Sequence, residues 1–148
     1  MGIYTIQKKY LPLYKAILGG DLRYVKEVCN ADEHVLEARI TENSDTALHV
    51  AVGTVTANRI VEYLLTKMSN DQVTLTNKDG KTVLSVAAIV GNVQAAKKIR
   101  EKWTDLLDIK TPLIEAAQHG YKEMITYLLK FTDRNFLYSC PVEHKTNV

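Results

Sequence analysis

The side chains able to move protons, hold metals or act as nucleophiles are few: four histidines, His34, His49, His119 and His144, and two cysteines, Cys29 and Cys140. A zinc site needs Cys or His ligands a few residues apart. A hydrolytic nucleophile needs a base and a group to orient it, and phosphate chemistry needs a glycine loop ahead of a helix. The chain contains no GxSxG, no HExxH, no phosphate-cradling glycine loop and no cysteine-rich metal spacing. The two cysteines lie near opposite ends with no CxxC pair, so a reducing compartment is expected rather than a disulfide framework. Cys29 falls on an apolar stripe and reads as a small buried hydrophobe. Cys140, in a tail segment before Pro141, has no basic neighbour to lower its pKa. His34 and His144 fall in presumed loop and tail, and His119 precedes Gly120 near a helix C-terminus, where a cation is favoured. No catalytic set, cofactor or metal is expected.

Nineteen basic against seventeen acidic residues leave a net charge of +2, far from the excess of a dedicated nucleic-acid binder. Lys97, Lys98, Arg100 and Lys102 form a basic cluster on one helix. They point several ways, with Glu101 among them and no interleaved aromatic ring to stack bases, and read as a solvated outer face. The chain has 148 residues, of which 46% are hydrophobic and 24% charged, which is one folded globular unit's worth. Its longest uncharged run, residues 82–96, holds Ser85, Gly91, Asn92 and Gln94 and falls short of the roughly 18–20 apolar residues of a spanning helix. The N-terminus lacks the apolar stretch of a signal peptide, and Ile6 stands where a myristoylation motif wants Ser or Thr.

The elements that carry these residues repeat. One pattern occurs four times: Leu11-Pro12-Leu13-Tyr14-Lys15-Ala16, Thr46-Ala47-Leu48-His49-Val50-Ala51, Thr82-Val83-Leu84-Ser85-Val86-Ala87 and Thr111-Pro112-Leu113-Ile114-Glu115-Ala116. The leucines follow one another at 35, 36 and 29 residues. Gly20, Gly91 and Gly120 stand seven residues after their leucines, at a left-handed helix end. Then a second apolar stripe follows at helical spacing, such as Ile60, Val61, Leu64 and Leu65. The second copy has one extra residue and no glycine at its break. Each unit is a short helix opened by Thr or Pro, a turn and a second helix, too short to bury its own stripe. Stacked side by side, the units form an all-α solenoid, with Ala16, Ala51, Ala87 and Ala116 small where first helices meet. The Asp-Gly pair in Asn77-Lys78-Asp79-Gly80-Lys81 and the turn-rich Glu42-Asn43-Ser44-Asp45 make short β-hairpin-like finger loops. After Trp103 too few residues remain for a full third finger.

These residues resemble the ankyrin repeat, with its Thr-Pro-Leu-His-x-Ala-Ala signature, a Gly after the first helix and paired apolar positions on the second. More narrowly, LPLYKAILGGDL, ITENSDTALHVAV, EYLLTKM and TPLIEAAQHGYKEMITYLL are similar to plant ankyrin proteins that carry a C-terminal PGG membrane domain. The resemblance covers about residues 10–132, and no PGG segment follows. It implies about four units (12–43, 44–79, 80–109 and 110–130) within an ankyrin domain at 12–130, preceded by an N-terminal segment at 1–11 and followed by a tail at 131–148. Ile3, Tyr4, Ile6 and Tyr10 at one end, and Phe131, Phe136, Leu137 and Tyr138 at the other, are expected to cap the stack. His49 takes the family's structural histidine position, where the ring ties the turn to the helix start.

The resemblance further implies a non-catalytic adaptor that binds a protein partner with the inner helix face and the finger tips, in plant defence or stress signalling. It is expected in the cytoplasm, or at the cytosolic face of the plasma membrane through a partner. The other reading is a truncated regulatory or dominant-negative form of a membrane-anchored relative. In register, the inner positions are Lys15, Leu18, Val50, Thr54, Val86, Ile89, Val90, Glu115, Gln118 and His119, with Asn43, Asp45, Lys78, Asp79 and Lys81 on the fingers. Their composition, apolar in the middle and polar at the rim, suits a protein-binding patch. Neither a nucleic acid nor a membrane span is expected. The stack is expected to be a monomer, or to pair through its uncapped end.

Overall fold

Threonine opens the first helices of the second and third units. In the computed structural model, which describes residues 8–102 and 110–131, the Thr46 hydroxyl accepts the His49 N–H at 3.3 Å and the Thr82 hydroxyl accepts that of Ser85 at 3.2 Å. Each satisfies a helix-start donor that has no partner within the helix. The first helices are α1 (Leu11–Leu18), α3 (Ala47–Val52), α6 (Val83–Val90) and α8 (Lys110–His119). The second are α2 (Leu22–Ala31), α4 (Asn58–Lys67), α7 (Val93–Lys102) and α9 (Lys122–Leu129). A single turn, α5 (Asn70–Val73), precedes the second finger.

Three units break in the same way. Gly20, Gly91 and Gly120 have φ of 72°, 75° and 73°, and the N–H after each glycine returns to the alanine carbonyl five residues back: Asp21 to Ala16, Asn92 to Ala87, Tyr121 to Ala116. This is the Schellman closure, which needs a residue tolerant of the left-handed region. The second unit, lacking that glycine, inserts a 3-10 turn at Val55–Ala57 closed by the Ala57 N–H on the Thr54 carbonyl at 2.8 Å. The extra residue of that copy is absorbed there.

Helix pairs stack in two layers. First helices meet first helices (α1 with α3, α3 with α6, α6 with α8), and second meet second (α2 with α4, α4 with α7, α7 with α9). Ala51, Ala87 and Ala116 are fully buried between neighbours, beside Leu48 and Leu84. The second layer buries Val25, Ile60, Leu64, Ala95, Ala96, Ile99, Met124 and Leu128. Each large aliphatic side chain so placed is worth roughly 1.5–3 kcal/mol.

The finger at 77–81 is closed by the Asn77 N–H on the Lys81 carbonyl at 3.1 Å and the Gly80 N–H on the Asn77 carbonyl at 3.0 Å. It is a hairpin-like turn, and no strand forms among the described residues. The expected short third finger, the N-terminal cap residues before Tyr10 and the tail cap after Phe131 lie outside the described residues. Tyr10 is half-buried against the core, and Phe131 sets its ring edge-on to Tyr127 at 5.1 Å.

Gly80 and Gly91 share a left-handed φ but not an environment. A Cβ on Gly80 meets nothing within 4 Å, whereas one on Gly91 lies 2.9 Å from the Tyr121 ring. Gly80→Ala is expected to lose about 1–2 kcal/mol from the backbone alone. Gly91→Ala should lose at least about 1 kcal/mol more, because the Tyr121 ring must move. Equal losses in urea denaturation would show that the Gly91–Tyr121 approach carries no stability.

Candidate functional site

The fingers are joined to one another by polar side chains. The Asn77 side-chain amide donates to Asp45 at 2.9 Å, that of Asn43 donates to Asp79 at 3.1 Å, and the Lys78 N–H donates to the Asn43 carbonyl at 2.9 Å. The Arg39 guanidinium spans the Ser44 and Thr76 carbonyls at 2.9 and 2.7 Å. The Asn77 side-chain Oδ1 also accepts the N–H groups of Asp79 and Lys81. Asn43, Asp45 and Asp79, expected as tips for a partner, therefore hold the fingers in fixed spacing, while the Lys78 side chain stays exposed.

His49 is buried at the base of this network. Its Nδ1 accepts the Thr46 N–H at 3.3 Å and lies 2.8 Å from the Thr46 hydroxyl, and its Nε2 lies 2.9 Å from the Lys81 carbonyl. With Nε2 protonated, the neutral ring satisfies every neighbour and joins the second unit to the third. Burial holds its pKa below the ordinary imidazole value, against the opposing pull of the Lys81 carbonyl and the Asp45 charge. The ring is a structural tie, as its position in the repeat implied.

Beside the fingers, α1, α3 and α6 line an open groove of about 350 Å³. Tyr14, Leu18, Val50, Gly53 and Val86 form its apolar middle, and Thr41, Asn43, Asp45, His49 and Thr54 its polar wall. Six expected residues, Leu18, Asn43, Asp45, Val50, Thr54 and Val86, thus come together from different units. Lys15 and Leu18 are exposed, and Val50, Val86, Ile89 and Val90 are half-buried. Thr54 turns its hydroxyl back to the Val50 carbonyl at 2.9 Å.

The far rim differs from expectation. Glu115, expected open, is buried and accepts from the Lys81 ammonium with Oε2, leaving Oε1 without a hydrogen-bond partner. Lys81 reaches it from the finger base of the preceding unit, so the two form an inter-unit latch rather than free charges. Gln118 and His119 are exposed on α8. The His119 ring bonds the Glu115 carbonyl through Nδ1 at 2.9 Å and stacks on Tyr121, centroids 5.9 Å apart.

Asn92 is a residue that repeat reading passed over. Its buried amide donates to the Val52 carbonyl at 2.9 Å and to Asn58 at 3.0 Å, and its Oδ1 accepts the Ala95 N–H at 3.2 Å. It caps α7 and pins that helix to the second unit. An Asn directly after the helix-ending glycine is the available signal, as Asp21 after Gly20 caps α2.

The outer face carries the basic cluster. The second helices α2, α4, α7 and α9 hold nine basic and four acidic residues, while the connecting segments 32–46 and 68–82 hold three basic and seven acidic. Lys98 pairs with Glu62 at 3.4 Å. Arg100, expected in solvent, is buried with its guanidinium 4.5 Å over the Phe131 ring. Cys29 is buried beside a cleft of about 320 Å³ that Tyr63 and Lys67 also line, and burial raises its thiol pKa against the pull of Lys67. A protonated, buried thiol is a poor nucleophile. Among the described residues no group of His, Cys, Asp and Glu is placed to hold a metal ion, and no helix is long and apolar enough to cross a membrane.

Comparison with known proteins agrees with this geometry. A family model of ankyrin repeats, three copies long, matches residues 55–137. Among solved structures, a chain from the crystal structure of the yeast ribosomal protein Rps3 in complex with its chaperone Yar1 superposes with a TM-score of 0.70. It is 25% identical, over 86% of this chain and 95% of that one. No curated protein matches the chain.

Substitutions at His49, Lys81 and Glu115 test the ties between units. The unfolded His49 ring titrates near 6.5 and the folded ring lower, so the unfolded state binds the proton first. Stability is full above about pH 6.5 and falls as the pH drops below it. His49→Gln is expected to lose about 1–2 kcal/mol at pH 8 and to flatten this acid limb relative to the unaltered chain. An unchanged limb in denaturation between pH 8 and 5 would remove His49 as its source. Lys81→Met strands the buried Glu115 carboxylate and should cost about 1–3 kcal/mol, and the added Glu115→Leu should recover most of that. Additive losses in the double variant would mean that the pair does not act as a latch.

Proposed function

The chain belongs to the ankyrin-repeat family, and from that premise we propose that it is a non-catalytic interaction module whose protein partner occupies the groove of α1, α3 and α6. One observation carries this reading: residues from three units and a finger converge on an apolar floor with a polar wall. Their neighbours at the far end, Lys81 and Glu115, are latched to one another, so the recognition surface is centred on Val50 and Val86. The finger network fixes the wall in advance, so little side-chain freedom is lost on binding.

The similar chain comes from a complex of a ribosomal protein with its chaperone, which supports a protein as the class of ligand. The likeness to plant ankyrin proteins with a PGG domain supports a setting in plant defence or stress signalling, in the cytoplasm or at the cytosolic face of the plasma membrane through a partner. Exposed Lys15 and the half-buried Ile89 and Val90 extend the surface along the first helices, with Gln118 and His119 at its edge.

The test is capture from plant extract by the unaltered chain, by Val50→Glu/Val86→Glu and by Arg59→Glu on the exposed outer side of α4, each first shown by circular dichroism to be equally helical. Proteins captured through the groove should fall about tenfold or more with the double variant, since a carboxylate on an apolar floor is desolvated without a partner. They should persist with Arg59→Glu. Capture that survives the double variant would sink the groove as the binding site.

A further inference from the structure

We propose that the cleft between α7 and α9, on the outer side of the stack, is a second docking site that takes an acidic segment of a partner protein. The proposal is independent of the groove on the first helices. The cleft, about 300 Å³, is lined by Lys97 from the third unit and Lys122 and Lys130 from the fourth, over a floor that includes Val93 and Tyr127. The three lysines are exposed, and none is ion-paired among the described residues. Their neighbours differ: Lys98 is paired with Glu62, and Arg100 lies on Phe131. Among the described residues, Glu123 is the one acid lining the cleft.

Three ammonium groups around one cleft repel one another, and carboxylates entering between them replace repulsion with attraction. The apolar floor suits a segment that alternates acidic and apolar side chains. Single-stranded nucleic acid needs an open ring face on which a base can stack. Tyr127 is half-buried and meets the Phe131 ring edge-on. An anionic bilayer binds most strongly to groups that protrude into it, whereas Val93 and Tyr127 are half-buried. A protein strand or helix turn fits where a flat membrane does not.

The probe is a fluorescein-labelled synthetic peptide of alternating Glu and Leu, followed by anisotropy with the full chain. It is expected to bind at about 0.05 M salt and to weaken roughly tenfold or more at about 0.5 M. Lys97→Glu/Lys122→Glu/Lys130→Glu should abolish binding, and the Met triple variant at the same positions should weaken it by a smaller factor. Lys8→Glu/Arg23→Glu/Arg59→Glu, which changes the net charge equally at exposed positions away from the cleft and the groove, should leave binding intact. All variants are checked for native helicity. Equal loss in the control triple variant, or no binding at low salt, overturns the proposal. So does variant-sensitive binding of phosphatidylserine vesicles or of oligo-dT in place of the peptide.

Discussion

No helix pair of this chain can hide its own apolar stripe, and everything else in the structure follows from burying it against the next pair. α3 has six residues and α6 and α9 eight each, well below the roughly 12–15 at which an isolated helix becomes even marginal in water. Their stability comes from the seams between units, where Ala51, Ala87 and Ala116 let first helices approach and Leu48 and Leu84 fill the space beside them. Stability in such a stack is a sum of nearest-neighbour interfaces. A residue that fixes the spacing of two units therefore counts for more than its local contacts.

Several of those residues are polar. His49, Asn92 and the Lys81–Glu115 pair each join one unit to the next, and His49, Asn92 and Glu115 are buried. A buried polar group is costly unless it is hydrogen-bonded, and the bonds that His49, Asn92 and the Oε2 of Glu115 make are available in only one register of the stack. Apolar seams alone would permit sliding, because neighbouring stripes are alike. The polar ties select the register, and the finger network of Asn43, Asp45, Asn77 and Asp79 repeats the device at the surface.

How legible a feature is in the sequence depends on whether its cause is local. Thr46 and Thr82 at helix starts, and glycine seven residues after each leucine, follow from the needs of a helix end, and the stack follows from the stripes. The turn α5 was equally local, since Ser69 and Gln72 form a reciprocal cap across three residues, but it falls between repeat signatures and escapes a search for them. Glu115 is a different case. Its position in the repeat matches Val50 and Val86 on the open face, yet it is buried and holds Lys81, thirty-four residues earlier. Arg100 likewise lies out of solvent, its guanidinium over the ring of Phe131, which follows the end of α9 thirty-one residues later. Of the groove, the residue types were readable from register. That Asn43 would be spent on Asp79 and Asp45 on Asn77 was not, because these pairings depend on how far apart the stack sets consecutive fingers.

Stacking also decides which residues are left to evolve for binding. Each helix gives one stripe to the seams, so first helices keep a face toward the groove and second helices a face toward the outside. The two remaining faces differ in kind. The groove is apolar with its neighbouring charges latched, so it gains affinity by excluding water over Val50 and Val86. The outer side is basic on all of its helices except α9, whose acid Glu123 offsets Lys122, while the connecting segment 32–46 is acidic and 68–82 is balanced. Fields from such separated charges act at distances of about one Debye length, roughly 8 Å at physiological salt. They orient an approaching acidic partner toward the second helices and away from the acidic segment 32–46. Within that field the lysines between α7 and α9 stand apart, because three of them converge on one cleft where the rest of the face has its charge paired, stacked or dispersed.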